Sequence, residues 1–419
     1  MPQSFSIPPH LPRRLTVSFP LWALFDTGGG PFHDLDRLVR EHRERGFNCL
    51  RVEGGAGLTH DLTGRRRGPV FLHAPFGRFT SARLRWYYGG DGPCDVLSRL
   101  VELAEACRKY DVYLILSSWY FLHTFWYLDN ALNAELLSVP SEDTFAAFAR
   151  FLHYVLLELE ARGLSDRIAM AEIFNEVPSI PVLLGGLKGE DVGGIDFPAK
   201  HAEALSWLRE RHPEILFAVD SDNLTDVEIA RIPPTLQAFN GHNYFLWGVY
   251  GGTLEEGEPE RNDLFPGRFT RRDVAEARAG LLPFQPANLG WYDRVARCHN
   301  LDPARIPALE EHLTKRLSSR RAEYLSRLDD FCEGFRKVMA RFPGIPVVCG
   351  EGVDYVSSQE LLWEEKSEEY WELVGIAMAK YKELGLWGTL IKTNSGPGDP
   401  SWTLCKDRMR ALNEAFLAD

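Results

Sequence analysis

Short apolar runs alternate with amphipathic helical stretches from one end of this chain to the other, and that alternation limits the fold more than any other feature. The first run is Leu15-Thr16-Val17-Ser18-Phe19. The spacing then predicts a helix over 34–45, with Leu35, Leu38 and Val39 on one face and Gly46 as its stop. Seven further strands are expected at 47–52, 112–116, 168–174, 215–219, 236–240 or a little beyond, 345–349 and 386–391. Helical patterns fall between them at 95–109, from Pro140-Ser141 to Gly163, at 199–211 and at 368–382, where Ser367 is a natural N-cap. A last helix ends near Leu417. The helix after the fifth strand is weak. Strand–helix alternation argues a parallel sheet, and eight units argue a closed (β/α)8 TIM barrel, one domain over residues 1–419. The span 245–341, after strand six, is too long for one barrel connection. It reads as a large insertion or lid over the C-terminal face, joined to the sixth helix. Its charged amphipathic second half, about 303–341, suits a dimer interface as well as a lid, so a homo-oligomer is an open expectation.

Composition narrows the partners. The chain has 419 residues, 45% hydrophobic and 25% charged, which is enough for a large core. A net charge of −12 disfavours nucleic acid. No uncharged apolar run reaches the ~18 residues that would suggest a membrane span. The N-terminus lacks a basic segment followed by an apolar stretch, so no signal peptide is expected. Seven widely spaced cysteines, with no C-x-x-C, fit reduced thiols and a cytoplasmic location. Histidines such as His33, His60, His73 and His123 lack ligand spacing, so no metal is expected, and no dinucleotide or phosphate-loop motif implies a cofactor.

Two acidic motifs carry the chemistry. Ile173-Phe174-Asn175-Glu176 and Val348-Cys349-Gly350-Glu351-Gly352 each put a Glu where a strand should end. In a barrel of this kind the functional residues stand on that face. Two carboxylates from distant strands are what acid-assisted glycoside cleavage needs. Period-two alternation puts Glu172 on the same side of its strand as Glu176, but deeper. Gly241-His242-Asn243-Tyr244 ends strand six, and a tyrosine there can donate to a carboxylate on strand seven and favour its ionised form. Arg51 ends strand two. A buried arginine needs a carboxylate partner, either a catalytic one or a structural one such as Glu53.

The ordered set Arg51, Asn175-Glu176, His242-x-Tyr244 and Glu351 resembles the clan A glycoside hydrolases, and is closest to the cellulase-like family five. Glu172-Ile173-Phe174-Asn175-Glu176 matches that family's strand-four signature, and Gly46-Phe47-Asn48-Cys49-Leu50-Arg51 is similar to its strand-two signature. The resemblance spans roughly residues 15–417 apart from the insertion. It implies that Glu176 is the general acid/base and Glu351 the nucleophile of a retaining double displacement. It also implies that Asn175 binds the sugar hydroxyl beside the reacting carbon, and that His242 and Tyr244 support the carboxylates. Two positions depart from the family. Ser117-Ser118-Trp119-Tyr120 stands where a histidine is usual near strand three, and Leu390-Ile391-Lys392-Thr393-Asn394 replaces the usual strand-eight tryptophan.

Sugars pack their C–H faces on aromatic rings. Trp22 and Trp119 are the favoured platforms among Trp22, Trp119, Tyr120, Trp126, Trp247, Tyr355 and Trp402, and Lys392 and Asn394 are candidate polar contacts. The expected function is hydrolysis of a glycosidic bond, β-linked, in a short oligosaccharide or glycoside. The alternatives are a non-catalytic sugar-binding barrel and a transglycosylase using the same covalent intermediate. An aldolase on this fold would need Lys392 as its Schiff base and would leave the paired glutamates unexplained.

Overall fold

In the computed structural model, the described residues are 7–74, 91–247, 249, 301–353, 358–393 and 395–419. Eight parallel strands close into a barrel: β1 (Leu15–Ser18), β2 (Cys49–Glu53), β3 (Tyr113–Ser117), β4 (Ile168–Glu172), β5 (Phe217–Ser221), β6 (Ala238–Asn243), β7 (Val347–Gly352) and β8 (Gly388–Leu390). Each strand pairs with its sequence neighbour, and β1 closes on β8 with Leu15 opposite Gly388. The (β/α)8 expectation therefore holds. Within it, β5 runs two residues further than the spacing predicts and brings Asp220 into the strand. Likewise, β6 extends to Asn243 and β7 to Gly352. A two-stranded antiparallel pair, Val70–Leu72 with Gly92–Cys94, lies outside the barrel and left no signal in the apolar pattern.

The helices are delimited by caps that the sequence supplies. Asp34, Asp95, Asp196 and Ser367 each accept from the backbone N–H three residues on. Gly385 ends the helix Glu368–Leu384 in the left-handed region that an L side chain avoids. After β5 the helix is one short piece, Asp226–Arg231. Of the span 245–341, the helix Arg321–Arg341 packs against β6, its Phe335 ring filling the space a side chain on Gly241 would need. That part is barrel wall rather than lid. A second helix, Ile306–Ser319, precedes it, and residues 248 and 250–300 lie outside the described residues.

Two features of the strands shape the barrel mouth. The pairing of β6 with β7 shifts between Gly241 and His242, so that His242 stands opposite Glu351. Bulges of this kind re-aim side chains near functional sites. The upper barrel interior is also polar. Alternation points Arg51, Glu172, Asp220, Asn240 and His242 inward, all buried, while Leu50, Val52, Ala171, Val219 and Phe239 are buried on the other side of their strands. The six described cysteines are buried free thiols. Among the described residues no helix is long and apolar enough to cross a membrane.

Candidate active site

Arg51 is the hub. It is fully buried, so its charge must be matched locally. Its Nη1 donates to Glu351 Oε2 at 2.7 Å. Its Nη2 donates to Glu172 Oε2 at 2.9 Å, Asn175 Oδ1 at 2.7 Å and Asp220 Oδ2 at 2.8 Å. Burial opposes its charge, but Glu172, Asp220 and Glu351 more than offset this and hold it protonated. The Trp119 ring lies under the guanidinium, 4.5 Å from Cζ, and Phe19 lies at 5.3 Å. Glu53, the alternative structural partner for Arg51, is engaged elsewhere. It accepts from Trp119 N, Thr124 Oγ1 and Gly55 N.

Asp220 is the second hub. Its Oδ1 accepts from the backbone N–H of Glu176 at 2.6 Å, and its Oδ2 from His242 Nε2 at 2.9 Å and Asn240 Nδ2 at 2.8 Å. Burial would raise its pKa, yet His242 and Arg51 overcome this and keep it low. The imidazole of His242 bridges the two motifs, with Nδ1 3.2 Å from Glu176 Oε1 and Nε2 3.4 Å from Glu351 Oε2. Burial works against its charge, but the carboxylates of Asp220 and Glu351 and the hydrogen bonds to Asp220 and Glu176 push it well above the usual histidine range.

The two glutamates differ in setting. Glu351 is 2% exposed, held by Arg51 and by the Tyr244 hydroxyl, which donates to Oε1 at 2.5 Å. Glu176 is 19% exposed, with His242 beside its side chain. Its backbone is left-handed, φ 50° and ψ 54°, an uncommon conformation for a residue with a side chain. Val353, two residues after Glu351, is left-handed as well, with φ 71°. Both motifs thus hold strained backbone where the chain leaves its strand. Burial raises both carboxyls. For Glu176, Asp222 and Asp220 add to the rise and His242 opposes it. For Glu351, His242, Arg51 and the Tyr244 hydrogen bond oppose it and the charge of Glu176 adds to it. Each would push the other up if both ionised. Two cations, Arg51 and His242, and a hydroxyl face Glu351, whereas His242 is the one cation beside Glu176, so the surroundings favour negative charge on Glu351 over Glu176.

One ligating atom from each of Glu176, His242 and Glu351 lies within 4.8 Å of the others, a spacing that would suit a cation. The chemistry of the set fits proton transfer better. His242 already meets Asp220 through Nε2, and Arg51 meets Glu351.

Six of the residues expected from sequence meet here: Glu176, Glu351, Arg51, Asn175, His242 and Tyr244. The Nδ2 of Asn175 is buried with no partner among the described residues, an open donor one residue before Glu176. Others have different surroundings. Trp119 is the buried support under Arg51, not an open platform. Trp22 is buried against Phe25 and Tyr127. Lys392 is a correction: it is buried in an ion cluster with Glu364 and Asp399, the latter at 2.9 Å, and has no exposed ammonium for a sugar or a Schiff base. Trp402 packs under Arg45 and beside His42. Trp247 meets Tyr244 edge-on at 6.0 Å. Asn394 and Tyr355 lie outside the described residues. Sequence reasoning missed Asp220 and Asn240. A carboxylate at a strand end is the signal that picks out Glu176 and Glu351, and Asp220 carries it too. It escapes a reading that ends strand five at Val219.

No family model matches the chain, and no curated protein does. Solved structures do match. A provisionally assigned glycoside hydrolase from Parabacteroides distasonis is 17% identical, with a TM-score of 0.65 over 97% of this chain and 94% of that one. A GH5-4 broad specificity endoglucanase from an uncultured bacterium is 13% identical, with a TM-score of 0.50 over 96% and 94%. At these identities the likeness is one of fold.

Proposed function

We propose that this protein is a retaining glycoside hydrolase acting on a β-linked short oligosaccharide or glycoside, with Glu351 as nucleophile and Glu176 as acid/base. The observation that carries the reading is the unequal pair: a buried carboxylate that accepts from Arg51 and Tyr244, with an oxygen within 4.8 Å of one from the more open carboxyl of Glu176. Retaining enzymes need carboxyls about 5–5.5 Å apart, and inverting ones roughly 6.5–9.5 Å. The names of the two similar structures, a glycoside hydrolase and an endoglucanase, support the same class.

The steps follow from the charges. A Glu351 oxygen bonds to the anomeric carbon as the glycosidic C–O bond breaks, and Glu176 gives its proton to the leaving oxygen. His242 donates Nδ1–H to Glu176 Oε1, which leaves the acid's other oxygen to carry the proton. Once Glu351 is esterified its charge is gone, and Glu176, now ionised, takes a proton from water. The water oxygen bonds to the same carbon, Glu351 departs, and the sugar leaves with its starting configuration. Asn175 Nδ2 is the donor for the hydroxyl next to the reacting carbon.

The test is a panel of aryl β-glycosides with wild type and Glu351→Ala. We expect turnover in wild type and a loss of about 10³-fold or more in the variant. Azide should restore activity and yield a glycosyl azide of inverted configuration. An equally active variant refutes Glu351 as the nucleophile, and sugar binding without turnover on any glycoside refutes the hydrolase reading in favour of a sugar-binding barrel.

A further inference from the structure

The carboxyls of the site have partners on other residues. Glu172 and Asp220 each accept from Arg51 and Asn240, Glu351 accepts from Arg51 and Tyr244, and Glu176 meets His242. Asp222, just past the end of β5, is different. Among the described residues no other residue donates to its carboxylate, and Oδ1 is buried with no partner. The side chain is half-buried, which leaves Oδ2 as the oxygen open to a ligand. A carboxylate partly withdrawn from water without a donor is costly unless something else meets it.

Register puts Asp222 at the level of the acid. Strand β5 lies between β4 and β6. Ala218 stands opposite Glu172, and equal steps along both chains lead to Asp222 and Glu176. Ser221 stands opposite Gly241, and the next residues on are Asp222 and His242. Alternation turns Asp220 inward to Arg51 and Ser221 outward to Asn223, then brings Asp222 back to the inner side. The charges agree with that placement. His242 from β6 and Glu351 from β7 both act on Asp222, and Asp222 acts on Glu176. Coulomb interactions fall with distance, so sources on separate strands locate this carboxyl in the barrel mouth.

Asn175 tells which flank of the acid this is. Its Oδ1 is held by Arg51 of β2, so the amide assigned to the reacting sugar is tied to the β2 side of Glu176. Asp222, on β5, stands on the opposite flank, toward the leaving group.

We propose that Asp222 sets specificity for the leaving group, its Oδ2 accepting a hydroxyl of the departing moiety, which is then itself a sugar or polyol and not a plain alkyl or aryl alcohol. The inference rests on Glu176 being the acid. It deepens the functional reading by choosing the short oligosaccharide over the simple glycoside.

The test compares leaving groups of equal ring size that both need the acid. One set is a panel of β-linked disaccharides. The other is the cyclohexyl β-glycoside of each same sugar, whose leaving group has no further hydroxyl. We expect wild type to favour one disaccharide over its cyclohexyl counterpart by about tenfold or more in kcat/KM. Asp222→Ala should cut that ratio by about tenfold or more, and Asp222→Asn, whose amide oxygen still accepts, by less. Taking the ratio removes losses from poor folding or a weakened acid, because those fall on both substrates. A second readout needs no turnover. Calorimetric titration of Glu351→Ala protein with the same compounds should show the same preference, reduced when Asp222→Ala is added. Where wild type turns over, the kcat/KM ratio decides, and where it does not, the binding ratio does. A ratio unmoved by Asp222→Ala, or no disaccharide preferred, overturns the proposal. If turnover then still depends on Glu351, the hydrolase reading stands without it. A binding preference that Asp222→Ala removes, with no turnover on any glycoside, supports Asp222 as a sugar contact and counts against the hydrolase reading.

Discussion

In the proposed mechanism, charge at single residues decides which glutamate is acid and which is nucleophile. Tyr244 and Arg51 act on Glu351, and Asp220 acts on Glu176 through His242 and through the Glu176 backbone. Hydrogen bonds to a charged group contribute about 1.5–3 kcal/mol, so Tyr244→Phe should lower kcat/KM by a factor of about ten to a hundred. The sign on pH follows from the bond's preference for the ionised form. Without it the Glu351 pKa rises further, and the acid limb of kcat/KM moves to higher pH. An acid limb that stays put would mean that Tyr244 does not touch the nucleophile in the free enzyme. Asp220→Asn tests the other arm. Wild-type His242 should have both ring nitrogens protonated at pH 7 by ¹⁵N NMR. The variant removes the largest favourable charge, and its ring should titrate at lower pH, with activity down by about tenfold or more. A ring already neutral in wild type would undo the argument for where the proton sits.

Between β6 and β7 the site depends on backbone that comes unusually close. Gly241 sits at the register shift, and a Cβ there would lie 2.5 Å from the Phe335 ring. Gly350 gives its N–H to Asn240 Oδ1 at 2.8 Å, and a Cβ would lie 2.4 Å from that oxygen. Overpacking a core position costs about 1–3 kcal/mol. Gly241→Ala should therefore lower the melting temperature and, by moving His242 off Glu351, lower kcat more than KM. Phe335→Leu clears the contacting ring atoms. The double variant should recover most of the loss, with a coupling energy of about 1 kcal/mol or more in a double-mutant cycle. Additive losses would show that the ring is not what confines Gly241. The sequence places both glycines beside catalytic-type residues, yet it cannot tell what crowds them. Phe335 lies far along the chain from Gly241, in a stretch that reads as a charged insertion.

Over the whole molecule, what could be read from sequence divides along the same line. Barrel closure and the strand-end glutamates were legible because period-two and period-3.6 patterns are local. The Arg51 hub was legible in part, since a strand-end arginine demands carboxylates without saying which. Trp119, Lys392 and Asp220 were not, because their partners come from other strands and helices. Burial couples these interior charges to global stability, and Glu53 offers the cleanest reading. It is fully buried, and burial pushes its pKa up to about 7, against the pull of hydrogen bonds from Thr124, Trp119, Gly55 and Ala56. The unfolded chain holds a glutamate near about 4.3. The folded state therefore binds this proton more tightly. The stabilising contribution is fully present below about pH 4.3 and is lost as pH rises through about 7, a change of about 4 kcal/mol. Buried His42, at about 4, and His123 and His201, each at about 3, act in the opposite sense. Their contributions are present above about pH 6.5 and are lost as pH falls toward those values. Three histidine slopes outweigh one glutamate slope over this range, so these four groups together should make wild type more stable from about pH 5 to 7. Glu53→Gln removes one slope and keeps the other. The variant should gain about 3 kcal/mol on wild type between pH 5 and pH 8, read by denaturant unfolding at each pH. A gap unchanged between pH 5 and 8 would mean that Glu53 is ionised throughout, and that its backbone and Thr124 donors outweigh its burial.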